Sequence, residues 1–186
     1  LLGDKLSNND LVAKIARSER LEVLTLNVGV TSRSFDLAFC QSLGHLRRLT
    51  LMLTKPANLK IVASIPTLEF LRLGCKIRSN QSADDILLPV LQIRQLEMIF
   101  YLVSSEDVFR INLPSQSLTS IRYLRLYNLG HVPQIPILPN LLTYKLQFYE
   151  CNDQLVKQEI VKHPNLRKLK VESPQVIEIE HTCSKL

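Results

Sequence analysis

No stretch of the sequence approaches the roughly 18 uninterrupted apolar residues that a membrane-spanning helix needs. The N-terminus has no basic start followed by an apolar core, so no signal peptide is visible, and no membrane association is expected. The chain opens on Leu1 rather than Met, so it is expected to be a piece of a longer protein. Its four cysteines, Cys40, Cys75, Cys151 and Cys183, are dispersed, with no Cys-x-x-Cys pair. Secreted repeat proteins carry clustered cysteines in a disulfide cap, so these read as free thiols in a reducing compartment, cytoplasmic or nuclear. Only five glycines are present and no glycine-rich phosphate loop exists among them. No Ser or Cys lies in a nucleophile motif. His45, His131, His163 and His181 are scattered, and His181-x-Cys183 is the nearest approach to a metal pair. Asp84-Asp85 and Glu106-Asp107 read as helix-start charges. The expectation is a chain with no catalytic residue, no metal and no cofactor.

What the sequence has in quantity is a repeat. The pattern apolar-x-x-apolar-x-apolar occurs at Leu21/Leu24/Leu26, Leu46/Leu49/Leu51, Leu68/Leu71/Leu73 and Leu96/Ile99/Tyr101. It continues at Ile121/Leu124/Leu126, Leu141/Tyr144/Leu146 and Leu166/Leu169/Val171. Successive starts are 25, 22, 28, 25, 20 and 25 residues apart. Each triplet reads as a short strand with its large apolar residues turned one way. One such unit cannot bury that face alone, so neighbours must stack and pair in parallel, with the return segments covering the buried side. Helical returns are expected over 4–17, 34–44, 56–64, 81–93 and 152–162. Pro66, Pro89, Pro139 and Pro164 stand a few residues before triplets, where proline ends a helix and sets an extended approach. Residues 127–140 hold three prolines and read as an extended return without a helix. Pro174/Ile177/Ile179 reads as one more strand, in a degenerate end repeat.

These triplets resemble the leucine-rich-repeat superfamily over nearly the whole chain. The resemblance implies an α/β solenoid of about seven or eight repeats as a single domain over 1–186. It would be curved, with parallel strands on a concave face and helices and irregular loops on the convex one. Leu146-Gln147-Phe148-Tyr149-Glu150-Cys151, then a helix-like stretch, then His163-Pro164-Asn165-Leu166-Arg167-Lys168-Leu169 resembles the cysteine-containing repeats of F-box proteins. That likeness implies the substrate-recognition part of a ubiquitin-ligase adaptor. Ile135-Pro136-Ile137-Leu138-Pro139-Asn140-Leu141-Leu142, with the uneven repeat lengths, is also similar to the repeats of plant nucleotide-binding immune receptors. It implies a ligand-sensing domain. An RNA-associated or scaffold repeat protein is a third reading. Ser184-Lys185-Leu186 is a peroxisomal address if it is the true C-terminus, and otherwise the opening of a truncated next repeat.

Side chains alternate along a strand, so the variable residues of each triplet are expected on the exposed face. They are Val23, Thr25, Asn27, Arg48, Thr50, Met52, Phe70, Arg72, Met98 and Phe100. Tyr123, Arg125, Tyr127, Thr143, Lys145, Gln147, Lys168, Lys170 and Glu172 complete the face. Six of these are basic and one is acidic, so much of the formal charge of +6 belongs to one surface. The candidate partner-binding set is Arg48, Phe70, Arg72, Met98, Phe100, Tyr123, Arg125, Tyr127, Lys145, Lys168 and Lys170. Aromatics, Met and Arg are enriched at protein interfaces, and the cations favour an acidic or phosphorylated protein partner. Nucleic acid is the weaker expectation, because the excess is modest and no binding motif stands out. The chain is expected to act as a monomeric domain within a larger chain or complex. At 96–102 the register is open by one residue, and a slip would take Phe100 into the core and Tyr101 out.

Overall fold

The computed structural model of the chain describes residues 13–18, 20–28, 37–53, 59–79, 81–149, 163–173 and 176–182. The fold is α/β, built on a single open sheet whose strands follow chain order. The strands are β1 Val23–Val28, β2 Arg48–Leu53, β3 Phe70–Ile77, β4 Gln95–Leu102, β5 Ile121–Leu129, β6 Thr143–Phe148, β7 Lys168–Ser173 and β8 Val176–Thr182. Each of β1 to β7 runs parallel to its neighbours. The register aligns Leu24, Leu49, Leu71 and Leu96 in one row, and Leu26, Leu51, Leu73, Met98, Leu124, Tyr144 and Leu169 in another. All of these are buried. The repeating triplet is therefore one inward row after another, each strand covering the apolar flank of the one before it.

The return segments close the other side of the core. They hold a 3-10 turn at Ala38–Ser42, helix α1 at Leu59–Ala63, helix α2 at Ala83–Leu87 continuing into a 3-10 turn at Leu88–Val90, and a 3-10 turn at Ser115–Ser117. Residues 13–16 are helical, while the rest of the expected helix over 4–17 and all of 152–162 lie outside the described residues. So do Cys151, Cys183 and the C-terminal Ser-Lys-Leu. Among the described residues, the expected span over 81–93 is helical only over α2 and its 3-10 continuation, and that over 34–44 holds the 3-10 turn at Ala38–Ser42. One turn suffices to bring Leu59 with Val62, or Ala83 with Ile86 and Leu87, onto the core. A helix this short is not stable alone and is held by that packing. Ser82 caps α2 by accepting the Asp84 N–H, and the Asp84 carboxylate accepts the Asn112 backbone N–H at 3.0 Å, tying one return to the next. Between β5 and β6 the proline-rich return has no helix, as its composition predicts.

Neighbouring repeats are also tied where the chain approaches each strand. Thr67 Oγ1 donates to the Leu46 carbonyl, Gln92 Nε2 to Ala63, Ser120 Oγ to Leu91, Asn140 Nδ2 to Thr119 and Asn165 Nδ2 to Pro139. In each case a polar side chain satisfies a carbonyl of the preceding repeat that the ladder leaves open. His163, in the same approach to β7, is buried and accepts the Leu138 backbone N–H on Nδ1 at 3.1 Å. Its ring meets Tyr144 edge-on.

Two expectations need correction. Met98 and Phe100 are not on the exposed face: both are fully buried. The β4 triplet begins at Ile93, not Leu96, and its inward residues are Leu96, Met98, Phe100 and Leu102. The alternation decides this, because Leu96 and Ile99 cannot face the same way along one strand. The opposite phase would also bury the Glu97 carboxylate, at a cost of several kcal/mol. The second correction concerns 174–179. The strand there, β8 beginning at Val176, pairs antiparallel with β7 instead of adding a further parallel strand.

Candidate functional site

The outward residues of the sheet form rows across the strands, because each register match puts equivalent side chains side by side. One row runs Thr25, Thr50, Arg72, Glu97, Tyr123, Thr143, Lys168. The next runs Asn27, Met52, Gly74, Ile99, Arg125, Lys145, Lys170. A third contains Lys76, Tyr101 and Tyr127. Of the eleven residues selected from sequence, nine are on this face and Met98 and Phe100 are not. The register also brings out Glu97, Ile99 and Tyr101, which the sequence triplet had assigned inward or left out.

The nine do not make one uniform patch. On β2 and β3, Arg48 lies over the Phe70 ring at 5.6 Å. Arg72 is bonded to Glu97 through Nε at 2.6 Å and through a second nitrogen, so its charge is already matched. The face is different over β5 to β7. Arg125, Lys145 and Lys170 are successive members of one cross-strand row. Lys168 stands in the adjacent row beside Thr143. Glu172 approaches Lys170 at 3.0 Å and Arg125 at 3.7 Å. The β8 register sets Glu180 opposite Lys170. Lys145, 5.9 Å from the Tyr123 ring centroid, has no ion-pair partner among the described residues.

Aromatic rings border this cluster. Tyr101 and Tyr127 stack with centroids 4.4 Å apart and planes 7° apart, and the Arg125 guanidinium lies 4.2 Å from the Tyr127 centroid. Burial pushes the Tyr127 phenol up to about 12; Arg125 opposes the shift, while Tyr101 adds to it through charge and a hydrogen bond. Lys145 is held below the usual lysine range, first by partial burial and then by Arg125, Lys168 and Lys170, with Glu172 opposing. The Glu172 carboxyl is lowered chiefly by its hydrogen bond from Lys170.

Elsewhere, loops after β3 and β4 enclose a cleft of about 480 Å³ with Arg78, Arg110, Glu106 and Asp107 at its walls. Its charges are of both signs, and Asp107 already accepts the Ser79 hydroxyl. Cys40 and Cys75 are free and buried, with their thiols pushed up to about 12 by burial. Among the described residues no group of three or more His, Cys, Asp and Glu side chains could hold a metal, and no helix is long and apolar enough to cross a membrane. No family model matches the chain, and neither a curated protein nor a solved structure matches it.

Proposed function

We propose that the chain is a leucine-rich-repeat solenoid whose exposed sheet face recognises a protein partner. Three features support the solenoid: strands in strict chain order, inward rows of leucine at intervals of 20 to 28 residues, and returns packed on the opposite side. The single observation behind the recognition role is the row Arg125, Lys145, Lys170. Like charges directly opposite one another on neighbouring strands destabilise a sheet. Lys145 stands between two such residues, beside stacked tyrosines and with no ion pair among the described residues, and a surface of this kind is suited to a partner that brings its own negative charge. The most specific form of this reading is the substrate-holding repeat domain of an F-box ubiquitin-ligase adaptor. It rests on the His163-Pro164-Asn165-Leu166 approach, whose histidine and asparagine both bond to the preceding repeat.

The test compares partners retained from a cell lysate by the parent chain, by a face variant and by a back variant. The face variant carries Tyr123→Ala, Arg125→Glu and Lys145→Glu. The back variant carries Lys60→Glu and Asp85→Lys, both exposed on the helical side. Circular dichroism must first establish that each folds. Partners kept by the parent and back variant and lost by the face variant support the reading. Partners lost only by the back variant contradict it.

A further inference from the structure

We infer that the sheet face takes an extended segment of the partner in which two carboxylates flank an apolar residue, in the pattern acidic-x-apolar-x-acidic. This rests on the protein-recognition reading above and names the kind of segment recognised. The centre of the face is an apolar floor. Met52, Gly74 and Ile99 follow one another in a single cross-strand row. A Cβ at Gly74 would meet the Met52 Sδ and Cε at 2.5 Å, so the missing side chain is what lets the thioether lie across β3. The stacked Tyr101 and Tyr127 rings border this floor in the next row. Methionine adapts its shape to what it covers, and tyrosine offers a large rigid area, so both suit a surface that receives an apolar side chain.

Two lysines stand on opposite sides of this floor, Lys76 on β3 and Lys145 on β6, and neither has an ion pair among the described residues. The carboxylates of the face are already engaged, Glu97 by Arg72 and Glu172 by Lys170 and Arg125. An incoming carboxylate therefore finds both amines without an anionic partner. The register sets Lys76 and Lys145 three strands apart and two residues apart along the strands, so their Cα atoms are separated by about 16 Å. In an extended segment, carboxylates four residues apart lie about 14 Å from each other and point to one face. The flexible lysine stems take up the difference. The residue midway between the carboxylates points to the same face, and the line between the lysines crosses β4 and β5, where it meets Ile99, Tyr101 and Tyr127. A helix reaches the same separation only with its carboxylates about eleven residues apart.

The aromatics favour a peptide over a nucleic acid. Binding of single strands uses open ring faces on which bases stack. Here Tyr101 and Tyr127 stack on each other, and Arg125 lies against Tyr127. The floor beside them is thioether and aliphatic, which matches an apolar side chain better than a base.

The experiment selects displayed random peptides on the whole chain and measures the affinity of those enriched by fluorescence anisotropy, with single-stranded poly-uridine RNA alongside. It is repeated with Lys76→Gln, with Lys145→Gln and with Lys60→Gln on the helical side. The expected result is enrichment of acidic-x-apolar-x-acidic peptides, weakened about threefold by Lys76→Gln and by Lys145→Gln and kept in Lys60→Gln. Replacing the central apolar residue of such a peptide with serine should weaken binding by about tenfold. Enriched peptides without paired acids, or with acids about eleven residues apart, overturn the extended acidic segment and leave recognition by this face standing if Lys145→Gln still weakens them. Peptides of the expected pattern that neither face variant weakens overturn the assigned site. No enrichment at all overturns the inference too, and the lysate comparison then decides protein recognition on its own. Binding of RNA in preference to every enriched peptide overturns both readings.

Discussion

Replacing Lys145 with glutamine should make the unliganded protein more stable. In the folded state Lys145 lies directly between Arg125 and Lys170 on the adjoining strands, with Lys168 diagonal to it. Each opposed like-charge pair costs roughly 0.2–1 kcal/mol. Against this stand the attraction to Glu172 and the contact with Tyr123, the latter worth about 0.5 kcal/mol at an exposed site. The net gain for Lys145→Gln is therefore about 0.5 kcal/mol, or roughly 1–2 °C in Tm for a chain of this size. Because the effect is electrostatic at a surface, it should shrink in high salt. Its pH dependence has a definite sign. The lysine's folded pKa is lowered, so between that value and 10.5 the unfolded chain binds more protons than the folded one. Stability of the parent then rises with pH through that window, and its deficit relative to Lys145→Gln should close there. Thermal melts of both proteins at low and high salt, and at neutral and alkaline pH, supply the check. A clear fall in Tm for Lys145→Gln at low salt would refute the reasoning, because Lys145 would then be holding the sheet together.

Phe100→Ala should cost about 3–5 kcal/mol as a fully buried aromatic, and the outward-facing Tyr101→Ala much less, which denaturant titration can separate; the reverse order would restore the slipped register. Gly130→Ala should destabilise by about 1–3 kcal/mol, since a Cβ there collides with the Ser105 carbonyl oxygen and backbone must move. Cys40 and Cys75, buried and protonated, should resist thiol alkylation in the native state and react after unfolding, read site by site by mass spectrometry. Rapid native labelling of either would contradict their placement.

Most of the strand positions are legible in the sequence because leucine spacing carries two signals at once, alternation within a strand and recurrence between strands. The β4 repeat is the exception. Its first apolar position, Ile93, falls in a bend, and Leu96 fits the pattern in its place because Ile99 and Tyr101 complete a second apolar triplet. Counting alternation from Leu96 through Met98, Phe100 and Leu102 would have found the inward face and kept Glu97 outside. That slip also hid the Arg72–Glu97 pair and the Tyr101–Tyr127 stack, both of which depend on outward β4 residues. The cations of β5 to β7 were visible one by one as variable positions in their triplets. Their alignment in one row was legible as well, because each follows the second apolar position of its triplet, Leu124, Tyr144 or Leu169, and β5 to β7 pair in that register. The helix over 81–93 is shorter than its spacing suggests for a different reason: a few apolar residues at helical spacing look the same whether two turns form or three.

The most direct measurement of where a partner binds is lysine acetylation footprinting of the complex, quantified by mass spectrometry at each site. Protection of Lys145, Lys168 and Lys170 on binding, with Lys60 on the helical side unchanged, is the expected outcome. Protection of Lys60 with Lys145 as reactive as in the free chain would contradict the assignment of the sheet face as the binding surface.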